Sequence, residues 1–88
     1  MIKLIESILT ENISEKDKKE LIRKLFENLF EGIYNNEKLL QSLIGLTKLT
    51  IFRVFHNDRN KYQLISTELS AVLLTNNVRP TKDNNEQP

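Results

Sequence analysis

The stretch LTENISEKDKKELIRKLFENLF, residues 9–30, contains a helix break, a helix start and an apolar helix face in that order. Ser14 is a favourable N-cap, and Asp17 three residues later approximates a capping box in which Asp replaces the usual Glu. Apolar residues then recur at the spacing of a helix face, at Leu21, Ile22, Leu25, Phe26, Leu29 and Phe30. The stretch therefore predicts an amphipathic helix over residues 15–32, which ends at Gly32.

Three further segments show the same periodicity and predict helices over about residues 2–12, 37–55 and 59–74. The predicted apolar face of the third helix consists of Leu40, Leu43, Ile44, Thr47, Ile51, Val54 and Phe55. That of the fourth consists of Tyr62, Ile65, Leu69, Val72 and Leu73. The segment TIFRVF, residues 50–55, is also rich in residues that favour strands. Helix is the better interpretation, because the apolar stripe continues unbroken from Leu40 and no second convincing strand is present to pair with it.

Length and composition limit the architecture to one small helical domain. The chain has 88 residues, with two Gly, two Pro and no Cys. We expect an all-α fold, an antiparallel four-helix bundle over residues 1–75, with a loose polar C-terminal tail over residues 76–88. Replacing a central residue such as Leu25 or Ile44 with Ala should then cost about 2–5 kcal/mol of folding stability.

The sequence offers little for catalysis, for a metal or for a cofactor, and we expect none of the three. It has one His and no Cys, and it contains no Gly-rich phosphate loop. His56 has only Asp58 nearby as an orienting carboxylate, so capping the end of the third helix is its more ordinary role. The formal net charge of +1 is also low for a nucleic-acid-binding protein.

Two apolar stretches bear on localisation. The N-terminal run contains Glu6 and makes a poor signal peptide. The most apolar stretch, residues 39–55, includes Lys48 and Arg53 and is too short and too charged to span a bilayer comfortably. We expect a cytoplasmic protein, with association to the membrane surface as an open possibility.

Residues 45–65 contain a basic cluster beside apolar residues that do not fit the buried stripe. Leu49 lies nearly opposite that stripe and Phe52 is well off it, on a face shared with Gly45 and His56. Asp58 is the only acid in the segment. The candidate partner-binding residues are Lys48, Leu49, Phe52, Arg53, His56, Arg59 and Lys61. An apolar pair surrounded by positive charge suits docking to a protein or to an anionic membrane. The alternative is that the tail or the fourth helix covers the pair, and Gly45 serves close helix packing.

Two long segments resemble the enterocin A-type immunity proteins for pediocin-like bacteriocins. The first is LIESILTENISEKDKKELIRKL, where Asn12, Ile13 and Ser14 stand in the place of an N-x-I-S motif between a short and a long helix, one residue shorter than that motif. The second is EKLLQSLIGLTKLTIFRVFHNDRNKYQLISTELSAVL, a leucine-rich helix, a break and a further helix with an early aromatic residue. The resemblance covers about residues 2–74. The chain departs from many members in HNDRN, residues 56–60, and in its Pro-containing tail.

The resemblance implies a function as well as a fold. Such proteins protect the producing cell from its own pore-forming peptide, and they act on the mannose phosphotransferase permease that the peptide uses as a receptor. Their C-terminal half carries specificity, which corresponds here to residues 37–88. We expect a monomer that binds this receptor complex and not nucleic acid. Two other classes stay open, a nucleic-acid-binding regulator of phage or plasmid origin and a general helical interaction module.

Overall fold

The computed structural model describes residues 1–78, which form four α-helices with short connections. The helices are α1 (Ile2–Thr10), α2 (Glu15–Phe30), α3 (Glu37–Phe55) and α4 (Arg59–Thr75). No strand occurs in the described residues, and residues 50–55 lie inside α3, as the continuous apolar stripe predicts. The predicted all-α four-helix bundle is therefore confirmed.

Side-chain caps fix the starts of three helices. Ser14 Oγ accepts a hydrogen bond of 3.1 Å from the backbone N–H of Asp17, as the capping-box spacing predicts. Asn36 caps α3 by accepting from the Leu39 N–H at 3.1 Å. Asp58 caps α4 in the same way, and its carboxylate accepts from the N–H of the third residue of that helix at 3.3 Å. Each cap joins residues only three positions apart, so it stabilises the start of its helix without a tertiary contact.

The helix ends depend on backbone geometry. α1 ends at Thr10 and α2 at Phe30, each two residues before its predicted end. Gly32 follows α2 with φ of +82°, a left-handed conformation that side chains other than Gly rarely adopt. After α4, Asn77 is also left-handed, and the Val78 N–H donates to the Leu73 carbonyl at 2.8 Å.

This turn occupies residues 76–78, where we placed the start of the loose tail. Its last residue, Val78, is partly buried against the core. The rest of the predicted tail, residues 79–88, lies outside the described residues.

The core joins one face of each helix, and α2 and α4 share the most extensive contact. The buried apolar residues are Ile5, Ile22, Phe26, Phe30, Leu40, Ile44, Ile51, Phe55, Ile65, Leu69, Val72 and Leu73. Two residues that we assigned to the core are not central. Leu25 is only partly buried, because the buried stripe of α2 is centred on Ile22 and Phe26. Val54 is 40% exposed, because it lies about 60° around α3 from the centre of the buried stripe.

An ion pair between α2 and α4 accompanies the apolar core. The Arg23 guanidinium approaches Glu68 Oε1 through Nε at 2.9 Å and through Nη2 at 2.8 Å. Glu68 is buried, whereas Arg23 keeps part of its side chain in solvent. The pair therefore fixes the position of α2 along α4 with a charged contact that few alternative packings would satisfy.

Candidate functional site

α3 packs mainly against α4, and its opposite side carries large apolar residues that no helix covers. Leu46, Leu49 and Phe52 are 60%, 48% and 50% exposed. We define the outer surface of α3 as Ser42, Gly45, Leu46, Leu49, Phe52 and His56. At about 100° per residue these positions fall within about 120° of one another, nearly opposite the buried stripe. Helix α4 therefore does not cover Leu49 and Phe52, which was one of the two alternatives for this pair.

An aromatic cluster holds the C-terminal end of this surface in place. The Phe52 ring stacks on His56, with centroids 5.0 Å apart, and meets the edge of Tyr62 at 6.0 Å. Tyr62 comes from α4, and the sequence pattern placed it in the core of that helix. The half-buried Tyr62 ring packs against the core, as the pattern predicts, and it also supports Phe52 from the side. Phe52 is therefore presented to solvent as a braced aromatic side chain.

The contacts of His56 agree with a capping role. His56 Nδ1 lies 2.9 Å from the carbonyl oxygen of Phe52, which can only accept, so this nitrogen carries the proton. Asp58 does not face the imidazole as an orienting carboxylate would. Its carboxylate caps α4 and lies 3.8 Å from Lys61 Nζ. The geometry suits a helix end stabilised by a side chain and offers no paired acid and base.

The basic residues divide between two sides of the hairpin. Lys48 lines a cleft of about 230 Å³ between α3 and α4, together with Tyr62. Arg59 lies beside Tyr62 along α4, and Arg53 is exposed in the last turn of α3. Lys48 and Arg59 therefore lie next to Tyr62, and Arg53 follows Phe52 in the sequence.

Lys61 lies elsewhere. It lines a separate groove of about 360 Å³ against α1, with Glu6 and Leu9 on the α1 side, and it pairs with Asp58. Lys61 directly precedes Tyr62, and neighbouring residues of a helix point about 100° apart. Because Tyr62 faces Phe52, Lys61 faces away from it. The predicted set of seven residues therefore separates into six around the outer surface of α3 and one behind it.

Gly45 lies within the outer surface, towards its N-terminal end. A Cβ atom added there would meet nothing within 4 Å, so close packing inside the described chain does not explain the glycine. Relative to Ala, Gly in a helix interior costs about 1 kcal/mol. The sequence reading also missed Leu46 and Leu39, both exposed on this side. Leu39 and Leu46 are seven residues apart, and Leu49 follows three residues later. This helical spacing is the sequence signal that could have identified a second apolar stripe.

The described part of the chain shows neither a metal site nor a membrane span. Within residues 1–78, no three His, Cys, Asp or Glu side chains are grouped so that they could hold a metal ion. Over the same residues, every helix is too short or too polar to cross a bilayer. No protein family, curated protein or solved structure matches the chain. Among the described residues, α3 exposes more large apolar side chains than any other helix, and its outer surface is the candidate site.

Proposed function

We propose that the protein is an immunity protein that protects a producing cell from its own pediocin-like pore-forming peptide. It acts from the cytoplasm on the complex between the peptide and the mannose phosphotransferase permease. The observation that carries the proposal is the exposed apolar surface of α3 with Lys48, Arg53 and Arg59 around it. The resemblance of residues 2–74 to the enterocin A-type immunity proteins supplies the identity of the partner.

The surface suits a receptor complex at the inner face of the membrane. Such a complex offers apolar crevices and neighbouring anionic lipid headgroups. Leu49 and Phe52 are each about half exposed, and burying the remainder would contribute about 1 kcal/mol apiece. The cations increase the rate of encounter with an anionic partner and orient the approach. Affinity then comes from the apolar anchors, and orientation comes from the charges.

Protection requires that the protein bind one state of the complex better than another. A protein with equal affinity for the open and the closed pore would not change the fraction of open pores, however tightly it bound. Changing the open fraction from about 99% to about 1% needs a preference of about 10⁴-fold for the closed state. In the proposed mechanism, the helical bundle occupies a site that exists only in the closed complex, and so it holds the pore shut.

The test is expression of the chain in a sensitive strain, followed by challenge with a panel of pediocin-like peptides. The wild-type chain should raise the inhibitory concentration of one or a few of them. The variant Arg53→Glu/Arg59→Glu should lose this protection while keeping its fold. Glu at position 53 is unfavourable at a helix C-terminus, and Glu at position 59 is favourable at a helix N-terminus. The two changes in stability should nearly cancel.

The matched control is Lys16→Glu/Lys19→Glu, which makes the same change in net charge on exposed residues of α2. This control should protect as well as the wild type does. Full protection by the Arg53→Glu/Arg59→Glu variant would show that the cations only solvate the surface. A wild-type chain that protects against no peptide would refute the immunity function. A general helical interaction module would then be the better description, and a salt-dependent mobility shift with DNA would indicate a regulator.

A further inference from the structure

We infer that the outer surface of α3 is a crossing site for a partner helix, and that Gly45 marks the point of closest approach. The inference deepens the proposed function, on which its cellular part rests. It specifies that the partner presents an α-helix to this surface, rather than a loop or a lipid bilayer. Its starting point is that Gly45 has no neighbour within 4 Å of its Cβ position.

Gly45 has no side chain, and we call the gap that it leaves between Ser42 and Leu49 the notch. Leu49 lies one turn towards the C-terminus and Ser42 about one turn towards the N-terminus, and both share the outer surface with Gly45. Helices pack by inserting the ridges of one into the grooves of the other, and small residues allow the two backbones to approach closely. A glycine that weakens its own helix and has no neighbour at its Cβ position among residues 1–78 matches this requirement for a close crossing.

A bilayer would not make use of the same notch. Membrane-surface helices gain affinity in proportion to the apolar area that they bury, and a glycine contributes almost none. A partner helix gains from the missing side chain, because its own ridge occupies the space. The notch therefore favours a partner helix, whose surface has a fixed shape, over a fluid lipid bilayer.

Charge complementarity specifies the chemistry of that helix. From Lys38 to Asn57 the sequence contains no acidic residue. At about 100° per residue, Lys48 and Arg53 lie on either side of the pair Leu49 and Phe52. The complementary partner is an amphipathic helix whose apolar ridge is flanked by Asp or Glu. A helix flanked by Lys or Arg would meet repulsion on both sides.

The experiment uses the full chain and two synthetic helical peptides that share one Leu/Ala ridge. One peptide carries flanking Glu and the other carries flanking Lys, and binding is measured by fluorescence anisotropy. Phosphatidylglycerol vesicles serve as the third probe. The wild type should bind the Glu-flanked peptide at least about tenfold more tightly than the Lys-flanked one. Gly45→Ala should weaken that binding at least about fivefold, while raising the urea midpoint because Ala is the better helix former.

The control variant is Asn28→Ala, which also improves helix propensity at an exposed position but lies on α2. It should raise the urea midpoint and leave peptide binding unchanged. Equal binding by Gly45→Ala and the wild type would overturn the crossing site, as would binding to vesicles with no preference for the Glu-flanked peptide.

The cellular assay separates this inference from the proposed function. If the wild type protects and Gly45→Ala protects equally, the crossing site is wrong and the immunity function stands. If the wild type does not protect, but its peptide binding depends on Gly45, the immunity function is wrong and the crossing site stands. Loss of protection in Gly45→Ala, with retention in Asn28→Ala, would support both.

Discussion

Replacing Arg23 with Met would remove the only cation that pairs with Glu68 in the described structure. Glu68 is 4% exposed, and both contacting nitrogens of Arg23 approach the same carboxylate oxygen, Oε1. Methionine is close to arginine in length and flexible enough to pack in its place. The substitution therefore removes the charge and its hydrogen bonds with little change in volume, and it leaves a carboxylate inside the α2–α4 interface.

The burial of the two partners determines the size of the effect. Breaking a fully buried ion pair costs about 3–5 kcal/mol, and an exposed pair contributes about 0–1 kcal/mol. The Arg23 side chain is 45% exposed and that of Glu68 is 5% exposed, so the pair lies between these limits. We expect Arg23→Met to cost about 2 kcal/mol out of a total stability of about 5–10 kcal/mol. With a urea m-value of about 1–1.5 kcal/mol/M, the unfolding midpoint should fall by about 1.3–2 M.

A double-mutant cycle isolates the ion pair from changes in packing. Urea titrations followed by circular dichroism would compare the wild type, Arg23→Met, Glu68→Met and the double variant. The double variant should recover most of the loss, because two methionines can pack together where one unpaired carboxylate could not. We expect a coupling energy of about 1.5–2 kcal/mol. A loss below about 0.5 kcal/mol for Arg23→Met, or additive losses in the double variant, would show that the pair does not stabilise the interface.

Two further predictions concern a cap and a buried hydroxyl. Ser14→Ala removes the acceptor for the Asp17 N–H and should cost about 0.5–2 kcal/mol, and an unchanged urea midpoint would show that the cap contributes nothing. The Tyr34 hydroxyl is buried and has no hydrogen-bond partner among the described residues. Burial raises the pKa of Tyr34, and the charge of Glu27 raises it further. The free energy of unfolding of the wild type should therefore fall as the pH rises above about 10. The variant Tyr34→Phe should be at least as stable as the wild type at neutral pH. At about pH 11 it should have lost less stability than the wild type. Equal declines of the two urea midpoints between these pH values would contradict the assignment.

The helices were predictable because their signals are local. The cap at Ser14 and the apolar stripe that follows it lie within a few turns of one another, so their meaning does not depend on the rest of the fold. The same holds for α3, where a continuous stripe outweighed the strand preference of residues 50–55. The ends of α1 and α2 were less predictable, and the predicted and observed ends differ by about half a turn. Helix ends fray, so the apolar pattern does not fix the last residue of a helix.

Features that involve two helices were not predictable from local pattern. The pairing of Arg23 with Glu68 joins residues 45 positions apart and depends on the position of α2 along α4. The separation of Lys61 from the aromatic cluster depends on the rotation of α4 about its axis relative to α3. Periodicity identifies which residues of one helix share a face. It does not identify the helix that this face meets, and so it could not decide whether Phe52 is covered.

The exposed residues of α3 also depart from the rules that shape the rest of the bundle. Among the described residues, α2 leaves one large apolar side chain exposed, Leu21, and α4 leaves Leu74, whereas α3 leaves Leu39, Leu46, Leu49, Phe52 and Val54. Its one glycine, Gly45, lies within the outer surface, and nothing in the described part of the chain packs against its Cβ position. A sequence shaped for stability and solubility alone would place Ala at position 45 and polar residues at positions 46 and 49. Two unrelated departures, one from binary patterning and one from helix propensity, coincide on a single surface. Under the proposed function, a binding partner would offset both costs at once, which is why we propose this surface as the binding site.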